Sequence, residues 1–417
     1  MDHFLYRNGQ LHAEDVNLAT IADSVGTPFY CYSAATLTRH YTLFREALDP
    51  LPNLICYAVK SNSNLAVLKL LGDLGAGMDV VSIGEYLRAR AAGVPGARIV
   101  FSGVGKTRDE MRAALEGGIR QFNVESDPEM EALSQVAESM GVRAPITLRV
   151  NPDVDARTHE KISTGRKEDK FGVPISRARE IYARAARLPG LKVIGVDMHI
   201  GSQLTDLAPF ESAYLKMADL VRALRADGHV IDRLDLGGGL GVTYQDETPP
   251  SPEALINAIK EKLSGRDIRL ILEPGRSICA NAGVMLTRVE YIKSNGDKCF
   301  IVVDGAMNDI IRPSLYQSWM DIVPVVQEAS APVIENADLV GPICESGDFL
   351  AKNRTLAAAP GDVLAVKSAG AYCYTMSSNY NTRNRAAEVM VENDNYTLIR
   401  RRESFDDQMA HELPLSL

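Results

Sequence analysis

Short apolar runs alternate with amphipathic helical stretches between residues 53 and 276. Eight of these runs have the length and composition of buried β-strands. They are Leu54–Val59, Met78–Ser82, Arg98–Ser102, Gln121–Val124, Ile146–Val150, Val193–His199, Arg233–Leu236 and Arg269–Leu272. Amphipathic helices, such as those predicted for Asp127–Met140 and Pro209–Ala226, lie between them. Eight strands and their helices within about 225 residues predict a (β/α)8 barrel. A doubly wound open sheet would show the same alternation.

The pattern changes after residue 279, where strand signals continue but helix signals become sparse. The predicted strands there are Val284–Tyr291, Cys299–Val303, Asp338–Val340, Asp362–Val366 and Glu388–Val391. The first 35 residues also show short strand patterns, notably Pro28–Tyr32. The sequence therefore predicts an α/β chain with a TIM-like barrel at residues 36–278. Residues 1–35 and 279–417 would form a mostly β second domain.

Composition and charge narrow the function classes. The chain has 417 residues, of which 46% are hydrophobic and 24% are charged, and its net charge is −9. This charge argues against nucleic acid or an anionic membrane as a partner. No apolar run approaches the roughly 20 residues that span a bilayer, and the N-terminus lacks a signal-peptide profile. The six cysteines show neither zinc-type nor C-x-x-C spacing, so we expect no metal site and a reducing, cytoplasmic location.

Lys60 directly follows the first predicted barrel strand, and the active site of such a barrel lies at the C-terminal strand ends. A buried lysine loses hydration, which lowers the pKa of its ammonium group and makes the free amine available. Such amines form Schiff bases with carbonyl compounds, including pyridoxal phosphate. The structural alternative is a lysine that ends the strand and extends to water.

Other chemical groups follow other strands. The glycine-rich run Gly237–Gly241 after the seventh strand could surround a phosphate with N–H groups, or it could be a tight turn. His199 could stack on a planar cofactor or transfer a proton, or it could be a core histidine. Glu273 could bond a cofactor ring nitrogen, or it could pair with Arg276. Arg276 could bind a carboxylate or a phosphate in bidentate fashion.

The β region adds a second group of candidates. Cys344 and Glu345 could supply a proton donor and a ligand for an ammonium group, whereas the structural alternative for Cys344 is a buried thiol beside a turn. Arg312 and Tyr316 are four residues apart and could share a helical face. Tyr372 could reach a phosphate oxygen through its hydroxyl group.

Taken together, six strings resemble the fold-type III pyridoxal-phosphate decarboxylases in order and spacing. These strings are Tyr57–Asn62, His199–Gln203, Gly237–Gly239, Glu273–Arg276, Cys344–Asp348 and Gly370–Tyr372. The resemblance covers essentially the whole chain. It implies an alanine-racemase-like barrel that binds pyridoxal 5′-phosphate and a β domain that includes the N-terminal segment. It also implies a homodimer whose active sites lie at the subunit interface.

The resemblance implies roles for the barrel residues. Lys60 would hold the cofactor as a Schiff base, with His199 stacked on the pyridine ring and Asp79 close to it. Glu273 would pair with the pyridine nitrogen. The residues implied around the phosphate are Ser202, Gly238, Gly239, Gly275, Arg276 and Tyr372. Position 61 departs slightly from the family, since serine stands where alanine is common.

The resemblance also implies how substrate is bound. Arg276, Arg312 and Tyr316 would bind the carboxylate that is retained, and Tyr372 would contribute to this site. Cys344 would reach in from the other subunit as the acid, and Glu345 would hold the distal amino group. His159–Phe171, with Gly165 as a hinge, would form a mobile loop over the site.

The function that follows from the resemblance is decarboxylation of meso-2,6-diaminopimelate to L-lysine and CO2, the last step of lysine biosynthesis. Either Cys344 or Lys60 would donate the final proton. Another basic amino acid, such as ornithine or arginine, is the alternative substrate class. A noncatalytic pyridoxal-phosphate carrier would resemble the barrel alone. A racemase would need a second base on the opposite face, for which the sequence offers no good tyrosine string.

Overall fold

The computed structural model describes residues 2–155, 164–165, 169–263, 267–327 and 332–413. The chain divides into two compact units. The barrel unit consists of Thr38–Thr243 and Glu247–Ile278, and the β unit consists of Met1–Leu37, Tyr244–Asp246 and Cys279–Leu417. Within the described residues, no helix combines the length and the apolar character needed to cross a membrane.

The N-terminal segment contains a small sheet, two helices and a strand that enters a larger sheet. Its elements are β1 (Phe4–Arg7), β2 (Gln10–Ala13), β3 (Val16–Asn17), α1 (Leu18–Val25), β4 (Phe29–Ser33) and α2 (Ala34–Leu48). Strands β1, β2 and β3 pair in antiparallel order. Helix α1 was not predicted, because only strand patterns were recognised in this segment. The side chain of Asn17 caps α1 by accepting from the Ala19 N–H, and Leu18 and Ile21 are buried.

Eight parallel strands close into a ring in the barrel unit. The ring strands are β5 (Asn53–Ala58), β6 (Gly77–Val80), β7 (Ile99–Phe101), β8 (Gln121–Val124), β9 (Ala144–Asn151), β11 (Leu191–Asp197), β12 (Arg233–Asp235) and β13 (Arg269–Leu272). A ninth, short strand is β10 (Val173–Pro174). Strand β13 pairs with β5 and β8 pairs with β9, which closes the ring, while the short β10 lies beside β9 outside it. The predicted barrel is therefore confirmed, and the open-sheet alternative is wrong.

Helices follow the barrel strands along the chain. They are α3 (Leu65–Asp73), α4 (Ile83–Ala91), α5 (Arg108–Glu116), α6 (Asp127–Ser139), α7 (Ala178–Ala185), α8 (Ala208–Ala226), α9 (Pro252–Lys262) and α10 (Arg276–Cys279). Several begin at a polar cap close to a strand end. Ser82 caps α4 and Ser126 caps α6, each by accepting a backbone N–H from the first turn. These caps give short strand-to-helix loops at the end of the barrel where the strands terminate.

The rest of the β unit is dominated by one mixed sheet. Its elements are β14 (Gly283–Asn295), β15 (Lys298–Val303), α11 (Arg312–Tyr316), β16 (Ile322–Pro324), β17 (Val333–Val340), β18 (Phe349–Ala357), β19 (Val363–Val366), β20 (Ala387–Glu392), β21 (Asn395–Arg400) and α12 (Phe405–Met409). The sheet order is β18-β17-β15-β14-β4-β20-β21, with β19 pairing to β14 and β16. The N-terminal strand β4 thus lies inside this sheet, between β14 and β20, and the predicted mostly β second domain is confirmed as a fold class.

Candidate active site

Lys60 lies just beyond the end of a barrel strand, as the sequence predicted. Strand β5 ends at Ala58, and residues Val59–Ser61 form a short 3-10 turn. The Lys60 Nζ atom lies 3.0 Å from Oδ2 of Asp79, which is fully buried in the neighbouring strand β6. The Lys60 side chain is 36% exposed, so the expectation of a buried, desolvated amine is wrong. An ion pair with Asp79, rather than burial, holds the amine in place.

The glycine loop after β12 lies so close to neighbouring backbone that it has no room for side chains. A Cβ atom on Gly237 would lie 2.5 Å from the Met198 carbonyl oxygen. A Cβ on Gly238 would lie 2.2 Å from the Glu273 carbonyl oxygen. Gly237 and Gly239 also adopt positive φ angles of 64° and 113°. The Gly239 N–H has no partner within the described part of the chain, which suits a loop that binds a phosphate.

His199 presents a neutral imidazole beside this loop. The Gly238 N–H donates to Nδ1 of His199 at 3.2 Å, which places the ring proton on Nε2. Burial, together with the positive charges of Arg149 and Lys60, lowers the pKa of His199 well below its usual value. A neutral aromatic ring at this position suits stacking on a planar cofactor better than proton transfer at neutral pH.

Glu273 follows β13 and is only 7% exposed. Its Oε1 atom accepts a hydrogen bond from Nδ2 of Asn123 at 3.2 Å. Burial raises the pKa of Glu273 well above its usual value, and the nearby carboxylates of Asp235, Asp79 and Asp197 add to this shift. A cation placed against Glu273 would lower that pKa and stabilise the ionised carboxylate. The site therefore suits a protonated ring nitrogen.

Arg276 and Ser202 contact each other at the barrel mouth, which is the end of the barrel where the strands terminate. Arg276 is the first residue of α10 and donates from Nε and Nη2 to Oγ of Ser202, at 3.2 and 3.1 Å. The adjacent Gly275 lies close to the lysine turn, because a Cβ there would be 3.1 Å from Oγ of Ser61. The barrel candidates from Lys60 to Arg276 thus surround one mouth, as predicted.

Arg312 and Tyr316 both lie in the short helix α11 of the β unit. Arg312 is 5% exposed, and its guanidinium carbon lies 4.3 Å from the centre of the Tyr244 ring. Its Nη1 atom contacts Sδ of Met320 at 3.1 Å. Across the residues that the structure describes, no carboxylate pairs with Arg312. A buried guanidinium in this state is suited to a ligand carboxylate.

Cys344 and Glu345 lie in the turn between β17 and β18. Cys344 is exposed, so the alternative of a buried structural thiol is wrong. Its backbone N–H donates to Oδ1 of Asn381 at 2.9 Å. A hydrogen bond to Glu345 raises the pKa of the Tyr380 hydroxyl group. Tyr372 belongs to the same unit and adopts a positive φ of 55°.

The residues Asn381 and Thr382 beside Cys344 have φ angles of 54° and 56°. A β-branched threonine rarely adopts this region, so the turn is strained and must be fixed by its surroundings. This turn is one feature that sequence reasoning missed. The predicted loop at His159–Phe171 lies largely outside the described residues.

Polar residues inside the barrel were also missed. Asn123 and Gln121 alternate with Phe122 and Val124 in β8, and all four are fully buried. Polar residues at every second position of a barrel strand point to the barrel interior, so this alternation could have predicted the buried polar groups. Asp197 and Asp235 are the last residues of β11 and β12. No role was predicted for either residue from the sequence.

Comparison with known proteins places this site in a family. The family model described as pyridoxal-dependent decarboxylase, pyridoxal binding domain, matches residues 34–280. A diaminopimelate decarboxylase from Pseudomonas aeruginosa is 58% identical over 412 residues, which cover 99% of each chain. The chain belongs to the diaminopimelate decarboxylase family. A relative of the same name from Vibrio cholerae is 53% identical and also covers 99% of each chain.

Solved structures of family members agree with this assignment. The diaminopimelate decarboxylase from Helicobacter pylori complexed with L-lysine matches with a TM-score of 0.91 and 41% identity. That match covers 94% of this chain and 98% of the other. The enzyme of the same name from M. jannaschii, in co-complex with L-lysine, matches with a TM-score of 0.94 and 35% identity, covering 99% and 98%.

The cofactor of this family is pyridoxal phosphate, and the barrel mouth fits it. A lysine amine, a neutral imidazole and a side-chain-free glycine loop lie together there, at Lys60, His199 and Gly237–Gly239. The buried Glu273 supplies the carboxylate that a pyridine nitrogen requires. The N–H of Gly239 and the guanidinium of Arg276 supply donors that a phosphate requires.

Replacement of Gly238 by alanine is expected to weaken pyridoxal-phosphate binding about tenfold or more. The added Cβ would meet the backbone oxygen of Glu273 at 2.2 Å and would force the loop and Glu273 apart. The apoprotein would be titrated with cofactor and followed by visible absorbance. Gly105→Ala is the matched control, because no atom lies within 4 Å of its added Cβ. Wild-type affinity in Gly238→Ala would contradict the assignment of this loop.

Proposed function

We propose that the chain catalyses decarboxylation of meso-2,6-diaminopimelate to L-lysine and CO2, the last step of lysine biosynthesis. The observation that carries this proposal is 58% identity, over the full length, to a diaminopimelate decarboxylase. The relatives that contain bound L-lysine carry the product that this reaction would release. The chemistry of the barrel mouth supports the same conclusion.

The barrel residues would hold the cofactor. Lys60 would carry it covalently, and Asp79 would orient the lysine amine through their ion pair. His199 would stack on the ring, and Glu273 would keep the ring nitrogen protonated. Ser202, Gly238, Gly239, Gly275, Arg276 and Tyr372 would surround the phosphate. When bound, pyridoxal phosphate supplies an electron sink for the negative charge left by loss of CO2.

The remaining residues would hold substrate and move a proton. Arg312, Tyr316 and Arg276 would bind the retained carboxylate, with Tyr372 nearby. Glu345 would bind the distal ammonium group, and either Cys344 or Lys60 would donate the final proton. The buried guanidinium of Arg312, which lacks a carboxylate partner among the described residues, favours a substrate with a second carboxylate over ornithine.

We also propose a cytoplasmic homodimer in which each site takes Cys344 and Glu345 from the other subunit. The exposed position of Cys344 supports this, since a residue that reaches a neighbouring subunit must lie at the surface of its own. The six cysteines are all free, which suits a reducing compartment. The barrel at residues 36–278 would bind the cofactor, and the remaining residues would complete the site and the dimer interface.

Lys60→Ala is expected to abolish the visible absorbance band of the purified protein and its release of CO2 from meso-2,6-diaminopimelate. The alanine lacks the amine that would bind the cofactor covalently. Lys69→Ala is the matched control, since its exposed ion pair with Asp73 lies on the helix surface and contributes little. A wild-type protein that stays colourless with added pyridoxal phosphate would remove the cofactor proposal.

Arg312→Ala is expected to lower kcat/KM for meso-2,6-diaminopimelate by about tenfold or more, because a charged hydrogen bond contributes about 1.5–3 kcal/mol. Release of CO2 would be measured for a panel of diamino acids with and without a distal carboxylate. The loss should be confined to substrates that have it. Arg401→Ala, at an exposed ion pair with Asp407, is the control. Unchanged kinetics would remove Arg312 from the substrate site.

Mixing a Lys60 variant with a Cys344 variant tests the shared active site. Lys60→Ala and Cys344→Ala proteins would be dissociated and reassociated together in equal amounts. A heterodimer would contain one site with both native residues, so the mixture should recover about a quarter of wild-type activity. Each variant treated alone is the control. Recovery no greater than in those controls would contradict the shared site.

A further inference from the structure

A single buried amide contacts two of the carboxylates inside the barrel. Asn123 lies in β8 and is fully buried. Its Nδ2 atom donates to Oε1 of Glu273 at 3.2 Å and lies 3.4 Å from Oδ2 of Asp235. The same nitrogen lies 3.1 Å from Oγ of Ser102. Asn123 has none of the roles assigned above, yet its amide donates to Glu273, which also shares a side-chain hydrogen bond with Asp235.

The orientation of this amide is determined by its neighbours. Oδ1 of Asn123 accepts from Oγ1 of Thr147 at 2.7 Å and from Nε2 of Gln121 at 2.8 Å. A rotated amide would set Oδ1 against the carboxylates and would set Nδ2 against the Gln121 donor. Both contacts would be repulsive in a buried site. The N–H groups of Asn123 therefore face Glu273, Asp235 and the Ser102 hydroxyl oxygen.

The carboxylates around Asn123 are too close to be ionised together. Oxygen atoms of Asp197, Asp235 and Glu273 all lie within 4.8 Å of one another. Burial is the main cause that raises the pKa of each group, and it raises that of Asp235 to about 7. Protons therefore remain in the cluster near neutral pH. A hydrogen-bond donor aimed at one carboxylate favours the charged form of that group.

We infer that Asn123 is the positioning residue for Glu273. Its amide, oriented by Thr147 and Gln121, holds one oxygen of Glu273 and stabilises the carboxylate as an anion. Glu273 can then keep a cofactor ring nitrogen protonated, while the remaining proton of the cluster stays on the aspartates. This inference rests on the proposed function, since it requires pyridoxal phosphate at Glu273.

Asn123→Leu removes the donors and keeps a similar side-chain size. Wild-type and variant apoproteins would be loaded with pyridoxal phosphate labelled with 15N in its ring, and the chemical shift of that nitrogen would be followed across pH. We expect a protonated nitrogen in the wild type near pH 7. In Asn123→Leu we expect an unprotonated nitrogen, as in Glu273→Gln. Cofactor affinity should also fall about tenfold or more.

Thr147→Val provides a second variant of nearly unchanged shape, which decides the question if Asn123→Leu does not fold. Loss of the orienting hydroxyl should move the nitrogen titration in the same direction by a smaller amount. It should lower kcat more than it changes KM, because ring protonation matters most in the transition state. Ser139→Ala is the control and should keep the wild-type nitrogen signal, since Ser139 is exposed at the end of α6 and its Oγ donates only to the Val136 carbonyl within that helix.

A ring nitrogen that titrates as in the wild type in every folded variant at Asn123 and Thr147 would overturn the inference. Failure of the proposed function is a separate result. A wild-type protein that binds the cofactor but releases no CO2 from meso-2,6-diaminopimelate would contradict that function. The nitrogen signal would still decide the role of Asn123.

Discussion

Closure of the barrel is the constraint on which the site depends. Lys60 and Glu273 are more than two hundred residues apart in the chain, and they become neighbours only because β13 pairs with β5. The Ala58 N–H extends that pairing by donating to the Pro274 carbonyl at 3.1 Å. An open doubly wound sheet would not pair its first strand with its last. The lysine and the carboxylate would then lie on strands that are not neighbours.

Closure also brings several buried carboxylates close together inside the barrel, and their negative charges must be neutralised. The C-terminal ends of parallel strands lie at the same end of the barrel, and several of these strand ends carry carboxylates. Two buried acids are neutralised by cations: Glu125 pairs with Arg149 at 3.0 Å, and Glu129 pairs with Lys106 at 2.7 Å. Asp79 pairs with Lys60. Asp197, Asp235 and Glu273 have no such cation among the described ion pairs, so protons or a ligand must supply the missing charge. A site built in this way favours a cationic ring.

The sequence predicted the barrel strands well because each is a short apolar run between recognisable caps. Strands β8 and β13 were predicted with the bounds that the structure has. Strands β18 and β21 were missed because they lie at the two edges of their sheet and contain many exposed polar residues. Helix α1 was missed because its eight residues depend on burial against the N-terminal strands rather than on local propensity.

The sequence pointed to residues that the structure brings together where the residue type alone suggests chemistry, and it missed features that geometry decides. Lys60, His199 and Glu273 stand at strand ends with distinctive neighbours, so their types and order were informative. The exposure of Lys60 and the contacts of Asn123 with residues of other strands are set by packing in three dimensions. Neither can be read from a linear sequence. The strained turn at Asn381 and Thr382 follows the same rule, because one of the contacts that support it comes from Cys344, 37 residues away in the chain. Oδ1 of Asn381 holds the Cys344 N–H, and Nδ2 of Asn379 donates to the Arg383 carbonyl at 3.0 Å. Such support restrains the turn that carries Cys344 and Glu345, as their proposed roles at the reacting atoms would require.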